Sequence, residues 1–147
     1  MQSDDTMILP KCEANYVPLT PLSFLKRTAE VYPDRTSVIY GERRYTWAET
    51  YRRSKRLASG LGTLGVEAGD RVAILAANTP EMYEAHFGVP MAGAVLCTIN
   101  CRLDAPAIAY ILEHSQAKVL ITDREFSATI RQVATRSRSR SRPIADA

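Results

Sequence analysis

The spacing of apolar residues changes near residue 69, and the part of the chain before it predicts two helices around a hairpin. Apolar residues recur at helical spacing after Thr20-Pro21, a strong helix start because proline fixes the backbone angle that a first turn needs. Two short segments at 36–40 and 43–46 have strand character and meet at Gly41-Glu42, which predicts a β-hairpin.

A second helix is predicted directly after the hairpin. Thr46 and Glu49 have the spacing of a capping box, in which each side chain accepts a hydrogen bond from the backbone amide of the other residue. This helix is expected to extend to about residue 61. Its inward face is predicted to consist of Trp47, Tyr51, Leu57, Ala58, Leu61 and Leu64, with Ser54 as the polar member.

From residue 69 onward the pattern becomes one of alternating buried strands and helices. Near-continuous apolar runs at 71–76, 94–99 and 118–122 are typical of strands that are buried on both faces. Helix starts lie between them, at Thr79-Pro80 and at Asp104. The β-α-β-α-β order predicts an α/β fold, a partial doubly wound parallel sheet preceded by the helix, the hairpin and the second helix, with right-handed crossovers.

The helix expected from Pro80 to about residue 92 carries small residues on one side. Ala85, Gly88 and Ala92 lie within a narrow arc of this helix and leave a flat surface for close packing. Pro90 is expected to kink or shorten the helix near its end, because it cannot donate a backbone hydrogen bond.

Composition places the chain among ordinary folded proteins. Its 147 residues include 46% hydrophobic and 24% charged residues, which excludes a disordered, collagen-like or coiled-coil chain as the main description. The three cysteines, Cys12, Cys97 and Cys101, are odd in number and irregularly spaced, so a reducing compartment is expected rather than a disulfide scaffold.

We see no targeting peptide and no apolar run long enough for a membrane span, so we expect a cytoplasmic location.

The net charge of +3 is concentrated at the end of the chain. Residues 131–147 carry +4 and the remainder carries −1, so the body gives no electrostatic reason to expect a nucleic-acid partner. The Ser/Arg run at 135–142 resembles a short RS segment that could contact RNA phosphates or accept phosphate on serine, but we favour a non-native tail. We therefore expect an irregular lead-in at 1–18, a folded part at 19–130 and a disordered Ser/Arg tail at 131–147.

Gly60, Gly62 and Gly65 match the G-x-G-x-x-G pattern of dinucleotide-binding proteins, and Glu84 lies at about the right distance beyond them. That motif requires a strand before the glycines and a helix after them. Here the predicted order is the reverse, so we interpret the glycines as the end of a helix.

Cysteine and histidine residues could suggest a metal site. Cys97 and Cys101 are separated by three residues, and His86 and His114 lie elsewhere, whereas structural zinc sites prefer closer cysteine pairs and four ligands. We therefore expect no metal site, with Cys97 acting as a small apolar residue inside a strand and His86 lying on an apolar helix face.

Glu81 and Glu84 are one helical turn apart and could form an acid–base pair. We favour a structural interpretation in which Glu81 complements the positive end of its helix and Glu84 lies on the more solvated side.

The basic run at 52–56 could be a phosphate-binding or nuclear-import patch. Its charges lie opposite the apolar stripe of the second helix, which is typical of a solvated helix face.

Several short sequence segments, in the same order along the chain, resemble the N-terminal part of the adenylate-forming acyl-CoA synthetases. The resemblance covers about residues 8–126. The segment NYVPLTPLSFL (15–25) is similar to plant acyl-activating enzymes of the short- and medium-chain, butyrate-CoA ligase-like group. The segments are RRYTWAET (43–50), LASGL (57–61), GDRVAIL (69–75), NTPE (78–81), HFGVPMAGA (86–94), NCRL (100–103) and KVLITD (118–123).

This resemblance implies a two-step ligase. In the family, a carboxylic acid reacts with ATP and magnesium to give an acyl-adenylate and pyrophosphate, and coenzyme A then displaces AMP to give a thioester. The family's Ser/Thr/Gly-rich loop ending in lysine, its ribose-binding aspartate and its mobile C-terminal domain have no counterpart in these 147 residues. The chain thus resembles a truncated piece of the larger N-terminal domain.

We accordingly assign no catalytic, cofactor-binding or metal-binding residue. The loop at 100–103 would lie nearest to the family's site, but in the family it is mainly structural. The predicted function is an N-terminal fragment of an acyl-CoA ligase for a short- or medium-chain acid, inactive alone. The alternative is a non-catalytic binding or decoy module that pairs with full-length ligase chains. For full-length members of the family a peroxisomal location is also possible.

Overall fold

The computed structural model describes residues 10–13, 16–17 and 19–140, with side chains up to residue 135. Most of the predicted lead-in and residues 141–147 of the predicted tail lie outside this description. The elements in chain order are α1 (Pro21–Val31), β1 (Thr36–Tyr40), β2 (Arg43–Thr46), α2 (Trp47–Thr63), β3 (Arg71–Leu75), α3 (Pro80–Met91), β4 (Val95–Thr98), α4 (Ala105–Ser115), β5 (Val119–Thr122), a short 3₁₀ turn (Arg124–Phe126) and α5 (Ser127–Arg140).

Side-chain caps fix where the helices begin. Thr20 accepts a hydrogen bond from the amide of Ser23 (3.2 Å), and its own amide donates to the hydroxyl of Ser23 (3.1 Å). Thr46 and Glu49 form the predicted capping box at the start of α2. Each cap satisfies amides that the first helical turn cannot pair internally, so the local sequence determines these boundaries.

The predicted hairpin is confirmed, with β1 and β2 antiparallel and Gly41 in the turn. The φ angle of Gly41 is 56°, a left-handed conformation in which a side chain would be strained.

Three parallel strands form the central sheet, in the order β4-β3-β5, which confirms the predicted doubly wound arrangement. Residues 72–75 of the middle strand β3 are only 0–1% exposed. Val72 and Ile74 point into a cluster with residues of α2 and α3, whereas Ala73 and Leu75 point into a cluster with residues of α4 and α5. The alternation of β3 side chains therefore builds one apolar layer on each face of the sheet.

Helices α2 and α3 are in close contact at Gly88. A Cβ atom at this position would lie 2.7 Å from Cδ2 of Leu57 and 2.9 Å from its Cβ and Cγ. The flat face predicted for α3 is thus the surface on which Leu57 of α2 packs.

Two predictions for the helices are wrong. Leu64, expected on the inward face of α2, follows the end of that helix and is 65% exposed. Unfolded chain was expected from about residue 131, but α5 continues to Arg140 and Val133 is buried in the cluster beside α4. Ser/Arg composition indicated disorder, whereas the apolar residues Ile130 and Val133 give this helix a side that packs.

Polar contacts tie together the amino ends of the strands. Lys118, before β5, donates a hydrogen bond to the carboxylate of Asp70, before β3, at 2.8 Å. Arg71 donates through Nε to the carbonyl of Ser115 (2.7 Å) and through a terminal nitrogen to the side chain of Gln116 (2.9 Å). The first of the Arg71 bonds satisfies a carbonyl group in the last turn of α4, and both bonds hold that end against the sheet.

We expect the Asp70–Lys118 contact to give a small acid dependence of stability. The hydrogen bond from Lys118 lowers the pKa of Asp70. Its contribution is therefore complete above the unfolded pKa, about 3.9, and is lost as pH falls through the lower folded value. Urea midpoints of the wild type and of Asp70→Asn should differ at neutral pH, and the difference should shrink as pH falls through the lowered pKa of Asp70. A difference that stays constant with pH would contradict this, since asparagine retains an acceptor for the amide of Glu67.

Candidate functional site

The carboxyl end of the parallel sheet is the first place to look for a site, because ligands of open α/β sheets bind beyond this edge. The loops after β3, β4 and β5 meet here and present polar side chains. Each of these side chains accepts a hydrogen bond from a nearby backbone amide: Thr79 from Met82 (3.4 Å), Asn100 from Arg102 (2.9 Å), Asp104 from Ala107 (3.0 Å) and Asp123 from Glu125 (3.3 Å).

These contacts decide what the loops can hold. A nucleotide triphosphate needs free backbone donors and cationic side chains. At the starts of α3 and α4, Thr79 and Asp104 already accept from amides of the first turn. Asp104 and Asp123 would also repel a phosphate. These four side chains are therefore engaged in local caps and turns, and the loop at 100–103 closes its own turn.

An open groove of about 640 Å³ lies between β1 and α3, next to the loop after β3. The rings of Tyr83 and Phe87 of α3 line the groove and pack edge to face, with their centroids 5.2 Å apart. His86 donates a hydrogen bond from Nδ1 to the carbonyl of Met82 at 2.9 Å, which leaves Nε2 as the second ring nitrogen of an exposed side chain. The Oγ atom of Ser37 is buried in the groove wall without a hydrogen-bond partner among the described residues.

A network of charged residues, not anticipated from the sequence, links β2 and α2 to α3. Arg43 of β2 donates to both oxygens of Glu81 of α3, at 2.9 and 3.5 Å. Arg53 of α2 donates through Nε to Glu84 of α3, and one of its terminal nitrogens lies 3.7 Å from Glu81. The guanidinium of Arg53 also lies over the ring of Tyr45, 4.6 Å from its centroid.

The electrostatics of this network favour the charged forms. Burial raises the pKa of Glu81, but the hydrogen bond from Arg43 and the contacts of its own helix start outweigh burial, so the pKa is lowered. The hydrogen bond to Glu84 raises the pKa of Arg53. Glu81 and Arg53 are therefore charged at neutral pH, and their contacts act as fixed links between the hairpin, α2 and α3.

The structure corrects the predicted place of Glu84. We expected it on the more solvated side of its helix, but it is 7% exposed and contacts Arg53. Arg53 is the member of the predicted solvated basic run that turns inward. The sequence carried only part of this signal, because Arg53 lies one helical turn before Leu57, which was predicted on the inward face of α2.

The glycine and cysteine candidates lie outside this groove. Gly60 and Gly62 lie in the last turns of α2, so a helix and not a strand leads directly into the G-x-G-x-x-G match, which is the end of a helix, as interpreted. Cys97 is half-buried in β4 and Cys101 is exposed in the following turn. In the described part of the chain, no three His, Cys, Asp or Glu residues are grouped so that they could hold a metal ion. His86, expected on an apolar face, is exposed.

Comparison with known proteins identifies the family. The family model described as AMP-binding enzyme matches residues 25–146, which extends beyond residue 126, where we expected the resemblance to end. The chain is 56% identical to the peroxisomal benzoate–CoA ligase of Arabidopsis thaliana over 124 residues, covering 84% of this chain and 21% of that protein. It is also 56% identical to the peroxisomal butyrate–CoA ligase AAE11 of the same plant, covering 88% of this chain and 22% of that protein.

Comparison with solved structures gives a similar result. The N-terminal domain of FACL13 from Mycobacterium tuberculosis superposes with a TM-score of 0.72 and 32% sequence identity, over 82% of this chain and 30% of that domain. The chain belongs to the family of AMP-binding enzymes, and it spans about a fifth of the length of the curated relatives that it matches. Among the described helices, none has the length and apolar character needed to cross a membrane.

Proposed function

We propose that this chain is the first part of the AMP-binding domain of an acyl-CoA ligase and that it does not catalyse the reaction alone. The complete ligase would join a carboxylic acid to coenzyme A through an acyl-adenylate, at the expense of ATP. The observation that carries this proposal is the coverage of the alignment, which includes 84% of this chain but only 21% of the benzoate–CoA ligase.

The local structure supports the absence of independent activity. The polar side chains at the carboxyl end of the sheet are engaged in caps and turns, and the charged network links structural elements. Stabilisation of developing charge by preorganised donors is usually the largest contribution to enzymatic catalysis. No described residues form such a set of donors around a phosphate.

The substrate class follows from the relatives. Their names include butyrate, a short-chain acid, and benzoate, a small aromatic acid, which favours a small carboxylic acid for the complete ligase. Their peroxisomal names favour the peroxisome over the cytoplasm, which we had expected, as the location of that ligase.

The proposal predicts that the purified chain will not catalyse exchange of pyrophosphate into ATP in the presence of butyrate or benzoate. The Arabidopsis butyrate–CoA ligase, assayed alongside, provides the positive control. Acid-dependent exchange above the no-enzyme background would show that the chain contains a working site, and the proposal would then be wrong.

A decoy module remains the second candidate, favoured by the open sheet edge that β5 presents. Tagged chain, co-expressed with the complete butyrate–CoA ligase, would then retain that ligase on an affinity column. A fragment without such a role would not retain it.

A further inference from the structure

A second cleft, of about 410 Å³, lies between α1, α2 and the end of α3, and it shares no lining residue with the groove between β1 and α3. Its apolar lining consists of Leu22 of α1, Ala58 of α2 and Met91 of α3. Each of these residues is only half-buried, so part of its apolar surface is open to water. The volume is typical of small-molecule sites, and covering this surface with an apolar group would be favourable.

Two lysines border the same cleft and give it a positive charge. Lys26 lies on α1 and Lys55 lies on α2. The Nζ atom of Lys55 lies 5.5 Å from the centroid of the Tyr51 ring, a distance at which the face of the ring attracts a cation. Because Tyr51 also lines the cleft, this contact holds the ammonium group beside it.

Neighbouring polar groups leave this positive charge largely uncompensated. Glu30 lies 3.9 Å from Nζ of Lys26, and the side chains of Lys26 and Glu30 are 60% and 63% exposed. An exposed pair of this kind is weak and is screened by water and salt. Ser23, the other polar residue of the cleft, already donates its hydroxyl to the carbonyl of Thr20 at 2.8 Å. The two ammonium groups are therefore the groups that an anionic ligand would meet.

The apolar lining and the lysines together select the kind of ligand. A small inorganic anion would contact the lysines but leave the apolar surface open to water. A neutral alkyl compound would cover that surface but leave the ammonium groups without a partner. A carboxylate with an apolar tail of medium length satisfies both parts of the cleft, because its charge and its tail are joined in one molecule.

We propose that the cleft between α1, α2 and α3 is a binding site for a medium-chain carboxylate. Its oxygens accept hydrogen bonds from Lys26 and Lys55, and its tail packs on Leu22, Ala58 and Met91. The inference goes beyond the proposed function, because it concerns binding by the 147-residue chain itself. Binding in this cleft and catalysis of pyrophosphate exchange are measured separately, so either result can fail without the other.

Methyl NMR of the 147-residue chain, labelled with carbon-13 at the methionine methyl groups, tests the location of the site. Met91 lines the cleft, whereas Met82 lines the groove between β1 and α3 and serves as the internal reference. Titration with octanoate should shift the Met91 resonance until it saturates and should leave the Met82 resonance unchanged. Equal shifts at the two methyl groups, or no shift at Met91, would show that the proposal is wrong.

Related ligands separate the contributions of the charge and of the tail. Octanol keeps the tail without the charge and should bind about tenfold more weakly than octanoate. Butyrate keeps the charge with a shorter tail and should also bind at least about tenfold more weakly. Added salt should weaken the binding of octanoate but not that of octanol. If octanol or inorganic phosphate bound at Met91 as tightly as octanoate, the assignment to a medium-chain carboxylate would be overturned.

Matched variants test the two lysines. Lys26→Gln and Lys55→Gln each remove one ammonium group from the cleft, whereas Arg27→Gln and Arg56→Gln remove an exposed cation at the next position of the same helices, outside the cleft. Each lysine variant should weaken octanoate binding about threefold, and the arginine variants should bind as the wild type does. All four positions are exposed, so the melting temperatures should stay close to that of the wild type. Equal weakening by the lysine and arginine variants would indicate general attraction to a basic surface and would contradict a specific site.

Discussion

Replacing Gly88 with valine is expected to lower the free energy of unfolding by about 3 kcal/mol, at the upper end of the usual cost of overpacking a core. The first added carbon would lie 2.7–2.9 Å from three atoms of Leu57. One of these atoms, the Cβ of Leu57 at 2.9 Å, is fixed by the backbone of α2, so a change of rotamer cannot relieve that contact. Helices α2 and α3 would have to separate, and the apolar layer between them and the sheet would open.

The chain offers a matched control for this substitution. Gly60 is also helical, but no atom lies within 4 Å of the position that its Cβ would occupy. Gly60→Val should therefore change the free energy of unfolding by no more than about 0.5 kcal/mol. Urea denaturation followed by circular dichroism measures both variants. Leu57→Ala should restore part of the stability of Gly88→Val, and equal effects at positions 60 and 88 would show that close packing is not the reason for the glycine.

The sequence predicted those parts of the fold that depend on neighbouring residues in the chain. Helix starts followed from Thr20, Thr46, Thr79 and Asp104, whose side chains accept from amides three residues later. The strands followed from continuous apolar runs, because a middle strand such as β3 has both faces covered. The close approach at Gly88 was also visible, as a face without bulky side chains.

Features that depend on distant residues were not predictable in this way. Glu84 is buried because Arg53, 31 positions earlier, reaches it from another helix. The packing of Val133 depends on α4, whose position is set by the sheet and not by the composition around residue 131. The candidate site shares this limitation, since the groove between β1 and α3 exists only after the hairpin has been placed beside α3.

The contact between Arg53 and Glu84 should show a marked asymmetry between its two partners. Arg53→Met leaves Glu84, which is 7% exposed, without its cation, and an uncompensated buried charge is strongly destabilising. Because the Arg53 side chain is itself 34% exposed, water screens part of the interaction. We therefore expect a loss of about 2 kcal/mol, less than for a fully buried pair.

Glu84→Gln should cost about 1 kcal/mol, because glutamine keeps an oxygen that can accept from Nε of Arg53 and introduces no buried charge. Arg53 then still lies near Glu81 and over the ring of Tyr45. The double variant Arg53→Met/Glu84→Gln should lose less stability than the sum of the two single variants. The reason is that the carboxylate of Glu84, which Arg53→Met leaves without a cation, is absent from the double variant.

Arg52→Met is the control for side-chain length and charge, because Arg52 is the exposed neighbour of Arg53 on the same helix. It should change the free energy of unfolding by no more than about 0.5 kcal/mol. If Arg53→Met and Arg52→Met were equivalent, the network between β2, α2 and α3 would contribute nothing beyond ordinary surface charge. A larger effect for Arg53, together with the non-additivity of the pair, would show that the burial of Glu84 depends on Arg53 and that this contact holds α2 and α3 together.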